Sequence, residues 1–416
     1  MLASKEFSRG PVVSETRQSP RYWIQLRECR RNCLDFMNAS WTDNSNSFLL
    51  AKFNADYIVR FLTAGRIKQA LSDLSIPETT TGTGNSEREN ERHMDKFYDR
   101  IIDSIRTQPR DIQKYAFRAL SWIGYATRTL TVREVLVAIS VEGRQYQLND
   151  SDMFGLEDLL DICGGLVIAD GQAVRLVHFS VRNYLDRHQV IPGDTREAYR
   201  AIACSTYLSF DTLKERHRIY SSQSLEVLNQ SLPFLDYAAN NLAFHLSKVE
   251  PRQYPDTTSA VMELLEDKGH RRAYSIARDG IPWPLDIPRL NLVCAIGYED
   301  AVRTLLEEGE EDFNAKDLSV GLTPLSWAVL MGHEAVVKRL LDDDGVDRDC
   351  KHSSGKTPLS LAVSNRKPEI VRLLLEKGVE VDYSYEEVSQ SNHGSTQLYV
   401  LICRLSLTSF TAVGCK

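Results

Sequence analysis

The sequence predicts a mainly α protein: a helical region, a block of three helices with a β-hairpin, and a short solenoid of helical repeats. Three observations carry this. Gly321-Leu-Thr-Pro-Leu recurs as Gly355-Lys-Thr-Pro-Leu after 34 residues, and two short helical patterns follow each copy. Elsewhere apolar residues recur at three- and four-residue spacing, as in Met94, Phe97, Tyr98, Ile101, Ile102 and Ile105. One strong hairpin signal, Asp170-Gly171, lies between the apolar runs 166–169 and 173–178.

Taken in order, residues 1–47 are dominated by Ser, Asn, Thr and Arg, and low order is expected there, with one helix near 23–37. Residues 48–110 form a helical region. Leu50, Phe53, Tyr57 and Phe61, then Ile67, Ala70, Leu71 and Leu74, recur at helical spacing until Pro77. A polar loop over 77–92 leads into the Met94–Ile105 helix. In residues 111–190 the first helix carries Ile112, Tyr115, Ala116, Ala119, Leu120 and Ile123. The second starts at Thr131, where Thr131 as N-cap and Glu134 at N3 make a capping box and Leu130 can pack on Val135. Leu156, Leu159, Leu160 and Cys163 mark a third helix, stopped by Gly164-Gly165. Three helices followed by a hairpin is the winged-helix order. Residues 191–285 read as a helical connector, with helices over 198–210 and from Pro233, the latter carrying Leu235, Ala238, Leu242 and Leu246.

Residues 286–383 are the repeats. Pro324 and Pro358 suit the first turn of a helix, where a missing N–H costs nothing. Thr323 and Thr357 can cap those helices, and Gly332 suits the left-handed residue that closes one. Val336, Val337, Leu340 and Leu341 give a second helix one buried stripe. These residues resemble ankyrin repeats. Arg289–Gly309 is a degenerate first copy, since Gly297 precedes Gly332 by 35 residues and Ala301-Val302 aligns with Val336-Val337. The chain departs from the pattern at Ser326 and Ser360, where ankyrin repeats usually have histidine, so looser turns are expected. Residues 384–416 lose the repeat pattern. Arg404 would cost about 2.5–3.5 kcal/mol at the centre of a membrane helix, so an irregular tail or broken repeat is expected rather than an anchor.

The stretches 48–105, 115–185 and 286–383 together resemble fungal NACHT–ankyrin proteins, a branch of the NOD-like receptor class. The resemblance implies the end of a NACHT module, a winged helix and ankyrin repeats. It also places His178, in Leu176-Val-His-Phe, where such receptors contact a nucleotide phosphate. The phosphate-cradling loop itself is missing from the sequence. Ser354-Gly-Lys-Thr357 resembles its end, but Cys350 stands where the first glycine belongs and Pro358 follows inside the repeat signature. No nucleotide, metal or other cofactor is therefore expected, and His178 is expected to be a histidine hydrogen-bonded at a strand end.

Composition points the same way. Eight cysteines are scattered, with only Cys29 and Cys33 closely spaced, which fits reduced thiols and a cytoplasmic location. No N-terminal apolar run is long enough for a signal peptide. Residues 290–383 hold 18 Asp and Glu against 11 Lys and Arg, which is the whole net charge of -7. The third winged-helix helix carries Glu157, Asp158 and Asp161 with no basic residue, so phosphate backbones would be repelled. No nucleic-acid role is expected. No nucleophile–base pair or metal spacing stands out, and the chain is not expected to be an enzyme.

The function expected is that of a protein-binding scaffold or regulator acting through the repeats. The acidic runs would complement a basic surface on the partner. The contacts expected are the loop tips Leu318, Ser319, Leu322, Lys351, His352, Ser353 and Lys356, with Trp327, Met331 and Asn365 on exposed helix ends. Two other readings remain at this stage: the remnant of a nucleotide-sensing switch, and a non-functional gene fragment.

Overall fold

The computed structural model describes residues 86–143, 146–148, 153–214, 231–250, 252–278 and 287–380. The expectations for residues 1–47, the helices over 48–74 and the tail 384–416 lie outside these. The chain divides into two units, Met1–Gln108 and Pro109–Lys416. In the first, α1 (Ser86–Arg106) buries Met94, Phe97, Tyr98, Ile101, Ile102 and Ile105, the single apolar stripe that its spacing predicts.

The second unit begins with the winged helix. α2 (Arg110–Tyr125) starts directly after Pro109. The short β1 (Leu130–Thr131) leads straight into α3 (Val132–Ser140). The capping box forms: Thr131 Oγ1 accepts from Glu134 N–H at 3.2 Å, and the Glu134 carboxylate accepts from Thr131 N–H at 2.7 Å. Leu130 and Val135 are both buried beside it. α4 (Leu156–Ile162) ends at Gly164 and Gly165, both in the left-handed region at φ 64° and 84°. β2 (Val167–Asp170) and β3 (Ala173–Leu176) pair antiparallel, and β1 adds to β3, giving the order β1-β3-β2. The hairpin loop is Gly171-Gln172, one residue later than expected, because Asp170 pairs with Ala173 as the last rung. Gly171, at φ 63°, takes the first loop position, where a tight hairpin needs a positive φ.

α5 (Phe179–Arg187), α6 (Gly193–Leu208) and the one-turn α7 (Asp211–Lys214) follow. α8 (Leu235–Leu246) packs along α6. The centre of this block is Trp122 of α2, fully buried against the rings of Tyr199, Phe234, Tyr237 and His245. A buried polar chain runs beside it. Arg200 bonds the Ser121 carbonyl and, at 2.8 Å, Glu197. Glu197 meets His245 Nδ1 at 2.7 Å, and His245 Nε2 meets the Tyr237 hydroxyl at 3.0 Å. Burial of an unpaired Arg200 would be prohibitive, so the carboxylate and carbonyl are what permit it. The winged helix and the connector helices therefore share one core.

α9 (Pro255–Glu266) and α10 (Lys268–Ala277) extend the connector to the repeats. α9 packs on α6 and on the first repeat pair, where Thr258 Oγ1 and Tyr298 OH are 2.9 Å apart. The solenoid has three helix pairs: α11 (Arg289–Ile296) with α12 (Glu299–Glu308), α13 (Pro324–Met331) with α14 (Glu334–Leu341), and α15 (Pro358–Ser364) with α16 (Pro368–Glu376). First helices stack as α11–α13–α15 and second helices as α12–α14–α16, so each pair buries the apolar face of the last. Among the described residues no helix is long and apolar enough to cross a membrane.

Candidate interaction surface

Each repeat joins to the next through an extended finger, residues 312–322 and 347–356. The side chains that hold the first finger are buried. Asp317 is 3% exposed, and four N–H groups converge on its carboxylate. Ser319 and Val320 donate to Oδ1 at 2.9 and 2.8 Å; Leu322 N–H and Trp327 Nε1 donate to Oδ2 at 2.9 and 3.1 Å. Asn291, on α11, donates from Nδ2 to the carbonyls of Ala315 and Leu322, both at 2.9 Å, and so pins the finger from the preceding repeat. The two fingers are joined where Ser353 N–H donates to Val320 O at 3.2 Å and Lys316 Nζ donates to Lys351 O at 2.8 Å.

This geometry corrects two expected contacts. Trp327 is not on an exposed helix end but is 1% exposed, because α13 is the middle inner helix, covered by α11 and α15. Leu322 is buried at the finger base, where its N–H serves Asp317 and its carbonyl serves Asn291. At Ser326 and Ser360, where looser turns are expected, both helix starts keep their threonine cap. Thr323 Oγ1 accepts from Ser326 N–H and Thr357 Oγ1 from Ser360 N–H, each at 3.2 Å. Thr323 Oγ1 and Ser326 Oγ also lie 3.1 Å apart, a side-chain bond that serine supplies in place of histidine.

The remaining tips point outward. Leu318 is 83% exposed, and Ser319, Lys351, Ser353 and Asn365 are exposed with it. Met331, His352 and Lys356 are half-buried. Burial, with the charges of Lys356 and Lys316 near it, holds the His352 imidazole below its ordinary value. The Ser354-Gly-Lys-Thr357 stretch is the turn of the second finger: Gly355 has φ 80° and Thr357 caps α15.

His178 lies at the end of the wing, as N-cap of α5. Its Nδ1 accepts from Ser180 N–H at 3.3 Å and lies 2.7 Å from Ser180 Oγ. Burial lowers its proton affinity, which favours the neutral ring that this bond requires. Glu157, Asp158 and Asp161 of α4 are all exposed. The free cysteines Cys163, Cys204 and Cys294 are buried, and burial pushes Cys163 up to about 12.

Sequence reasoning missed Asp317, Asn291 and the position of Lys316. Asp317, four residues before Gly321, carries the only legible signal, that of a side chain closing its own turn. Asn291 stands where Ser326 and Ser360 stand in the later copies, and nothing local distinguishes it.

Residues 290–385 match the family model described as ankyrin repeats (3 copies), and residues 104–202 match that of the GPI inositol-deacylase winged helix domain. The chain is also similar to a transient receptor potential cation channel subfamily A member 1 homolog of Caenorhabditis elegans, 40% identical over 88 residues. That stretch is 21% of this chain and 7% of that relative's length. The chain thus carries ankyrin repeats, modules of protein–protein interaction, behind a winged-helix domain.

Proposed function

We propose that this chain is a non-catalytic, cytoplasmic scaffold or regulator of the NACHT–ankyrin kind, which binds another protein through its ankyrin fingers. The observation that carries this is the division of labour within the fingers. Asp317, Asn291, Leu322 and Trp327 are bonded to one another inside, and Leu318, Ser319, Lys351 and Ser353 are left at the surface. A pre-organised backbone presenting exposed side chains loses little conformational entropy on binding. The winged helix and connector hold the stack by its first repeat and transmit force or position to it. The exposed carboxylates of α4 support a role without nucleic acid, and the buried, unpaired thiols support a reducing compartment.

The test is site-specific photo-crosslinking from position 318 of the full chain in cells. A discrete adduct formed from position 318, and absent from a crosslinker at exposed Phe179, supports the reading; equal yields from both positions sink it. Calorimetric titration of the full chain with ATP and ADP is expected to show no micromolar binding. Micromolar heat lost on His178→Ala would instead favour a nucleotide-sensing switch.

A further inference from the structure

The repeats carry the chain's acidic excess, yet the structure does not put that acid on the finger tips. Glu307, Glu308 and Glu310 lie at the C-terminal end of α12, and Asp342, Asp343 and Asp344 at that of α14. Carboxylates at helix C-termini are disfavoured by the helix dipole, and several are held by cations nearby. Arg289 reaches Glu311 at 2.6 Å and Glu308 at 3.8 Å, and Lys377 reaches Asp342 at 2.5 Å. Asp317, midway along the first finger, is turned inward and saturated by four N–H donors, while Asp312 and Asp347 are exposed at the first position of each finger.

What faces outward at the joined tips has the opposite sign. Lys316 and Lys351 are exposed, and Lys316 Nζ donates to the Lys351 backbone carbonyl at 2.8 Å, which brings the Lys316 ammonium onto the second finger. Lys356 is tied to the same finger through His352 N–H, which donates to its carbonyl at 3.1 Å. Burial holds the His352 imidazole below its ordinary value, and the charges of Lys356 and Lys316 oppose its protonation while that of Asp317 favours it. Beside these cations stands Leu318, the most exposed large apolar side chain described, with half-buried Val320 behind it. An exposed leucine two residues from Lys316, on fingers that also expose Lys351, matches a ligand that offers an apolar side chain and carboxylates together.

We propose that the joined finger tips around Leu318, Lys316 and Lys351 form a docking surface for an acidic peptide segment carrying one large apolar side chain. This rests on the reading of the chain as a protein-binding scaffold and narrows it. An acidic segment differs from the basic partner surface expected from the net charge of the repeats, because that net charge sums residues away from the face that protrudes.

The probe is an unbiased phage-displayed peptide library, panned on the immobilised full chain. The peptides it enriches are then measured by fluorescence anisotropy against wild type, Leu318→Ser and the double variant Lys316→Glu/Lys351→Glu. All three substitutions fall on exposed side chains, and circular dichroism checks that the variants fold. Enriched peptides are expected to be acidic with a shared apolar position. Affinity is expected to fall about tenfold in the double variant, since reversal of two rim charges turns attraction into repulsion. It is also expected to weaken as salt is raised. Enrichment of basic or charge-indifferent peptides, or equal binding by both variants, overturns the inference and leaves protein binding in place. No enrichment at all overturns it and also counts against the scaffold reading beneath it.

Discussion

Removing the Asp317 carboxylate is the perturbation that most directly connects packing to the presented surface. Four donors lose their acceptor in Asp317→Ala. Ser319 is exposed and Val320 half-exposed, so water can recover their N–H groups. The Leu322 N–H and the Trp327 indole N–H are in the core, where an orphaned donor costs about 1–3 kcal/mol. The finger is thus expected to lose about 2–6 kcal/mol of local stability. Asp317→Asn keeps one carbonyl oxygen but sets an NH2 against the other pair of donors, and should recover no more than half. Native-state hydrogen exchange of the Leu322 amide and the Trp327 indole in the full chain reads this directly, without assuming that the molecule unfolds in one step. Opening free energies within about 0.5 kcal/mol of wild type would show that water or a neighbour replaces the carboxylate, and the account of the finger would fail.

Two other predictions follow from the packing. Gly297 and Gly309 both end helices at positive φ, 87° and 68°, but a Cβ at Gly309 meets nothing whereas one at Gly297 would lie 2.3 Å from His333 Nδ1. Gly309→Ala should therefore cost only the left-handed strain of about 1–2 kcal/mol. Gly297→Ala should cost clearly more, because His333 must leave its 3.1 Å contact with Ala295 O; equal costs in urea melts would refute the stacking of one repeat on the last. The second concerns pH. Burial holds His245, His270 and His333 below their ordinary value of 6.5, and in His245 it outweighs the opposing pull of Glu197. Below that pH the unfolded chain takes up protons that the folded chain refuses, so stability is complete above pH 6.5 and declines as pH falls. Burial alone would raise Glu197, but its bond to His245 and the charge of Arg200 hold it low, so its share is lost at more acid pH still. Melting temperatures measured from pH 8 down to about pH 5 should fall, and less steeply in His245→Gln; a flat profile would contradict the buried network.

Much of the fold was legible because it rests on local chemistry. The Thr131–Glu134 capping box, the Gly164-Gly165 stop and the Thr-Pro starts of α13 and α15 each declare themselves within a few residues. β1 was not legible: two residues show no alternation, and the strand exists only because β3 is there to pair with Leu130 and Thr131. α9 and α10 were missed because their place is set by packing on α6 and the first repeat rather than by a motif of their own. The exposure of Leu318, Ser319, Lys351 and Ser353 follows from loop position, and sequence placed these residues correctly at the surface. Trp327 failed because periodicity in an eight-residue helix cannot tell a solenoid's middle helix, covered on both sides, from one with a wet face, and Leu322 because its burial depends on the bonds to Asp317 and Asn291. Charge was the least legible property. Summed along the chain the repeats are acidic, but burial of Asp317 and the bond of Lys316 to the Lys351 carbonyl are long-range facts.

The central claim is that function resides at the finger tips of the ankyrin stack and not on the winged helix. Affinity capture from the organism's own extract, with full-length wild type, Leu318→Ser/Lys351→Glu and Phe179→Ser, tests it most directly. Proteins retained by wild type should be lost by the finger variant and kept by Phe179→Ser, whose side chain is exposed on the winged-helix side. Retention by the finger variant with loss in Phe179→Ser would contradict the account.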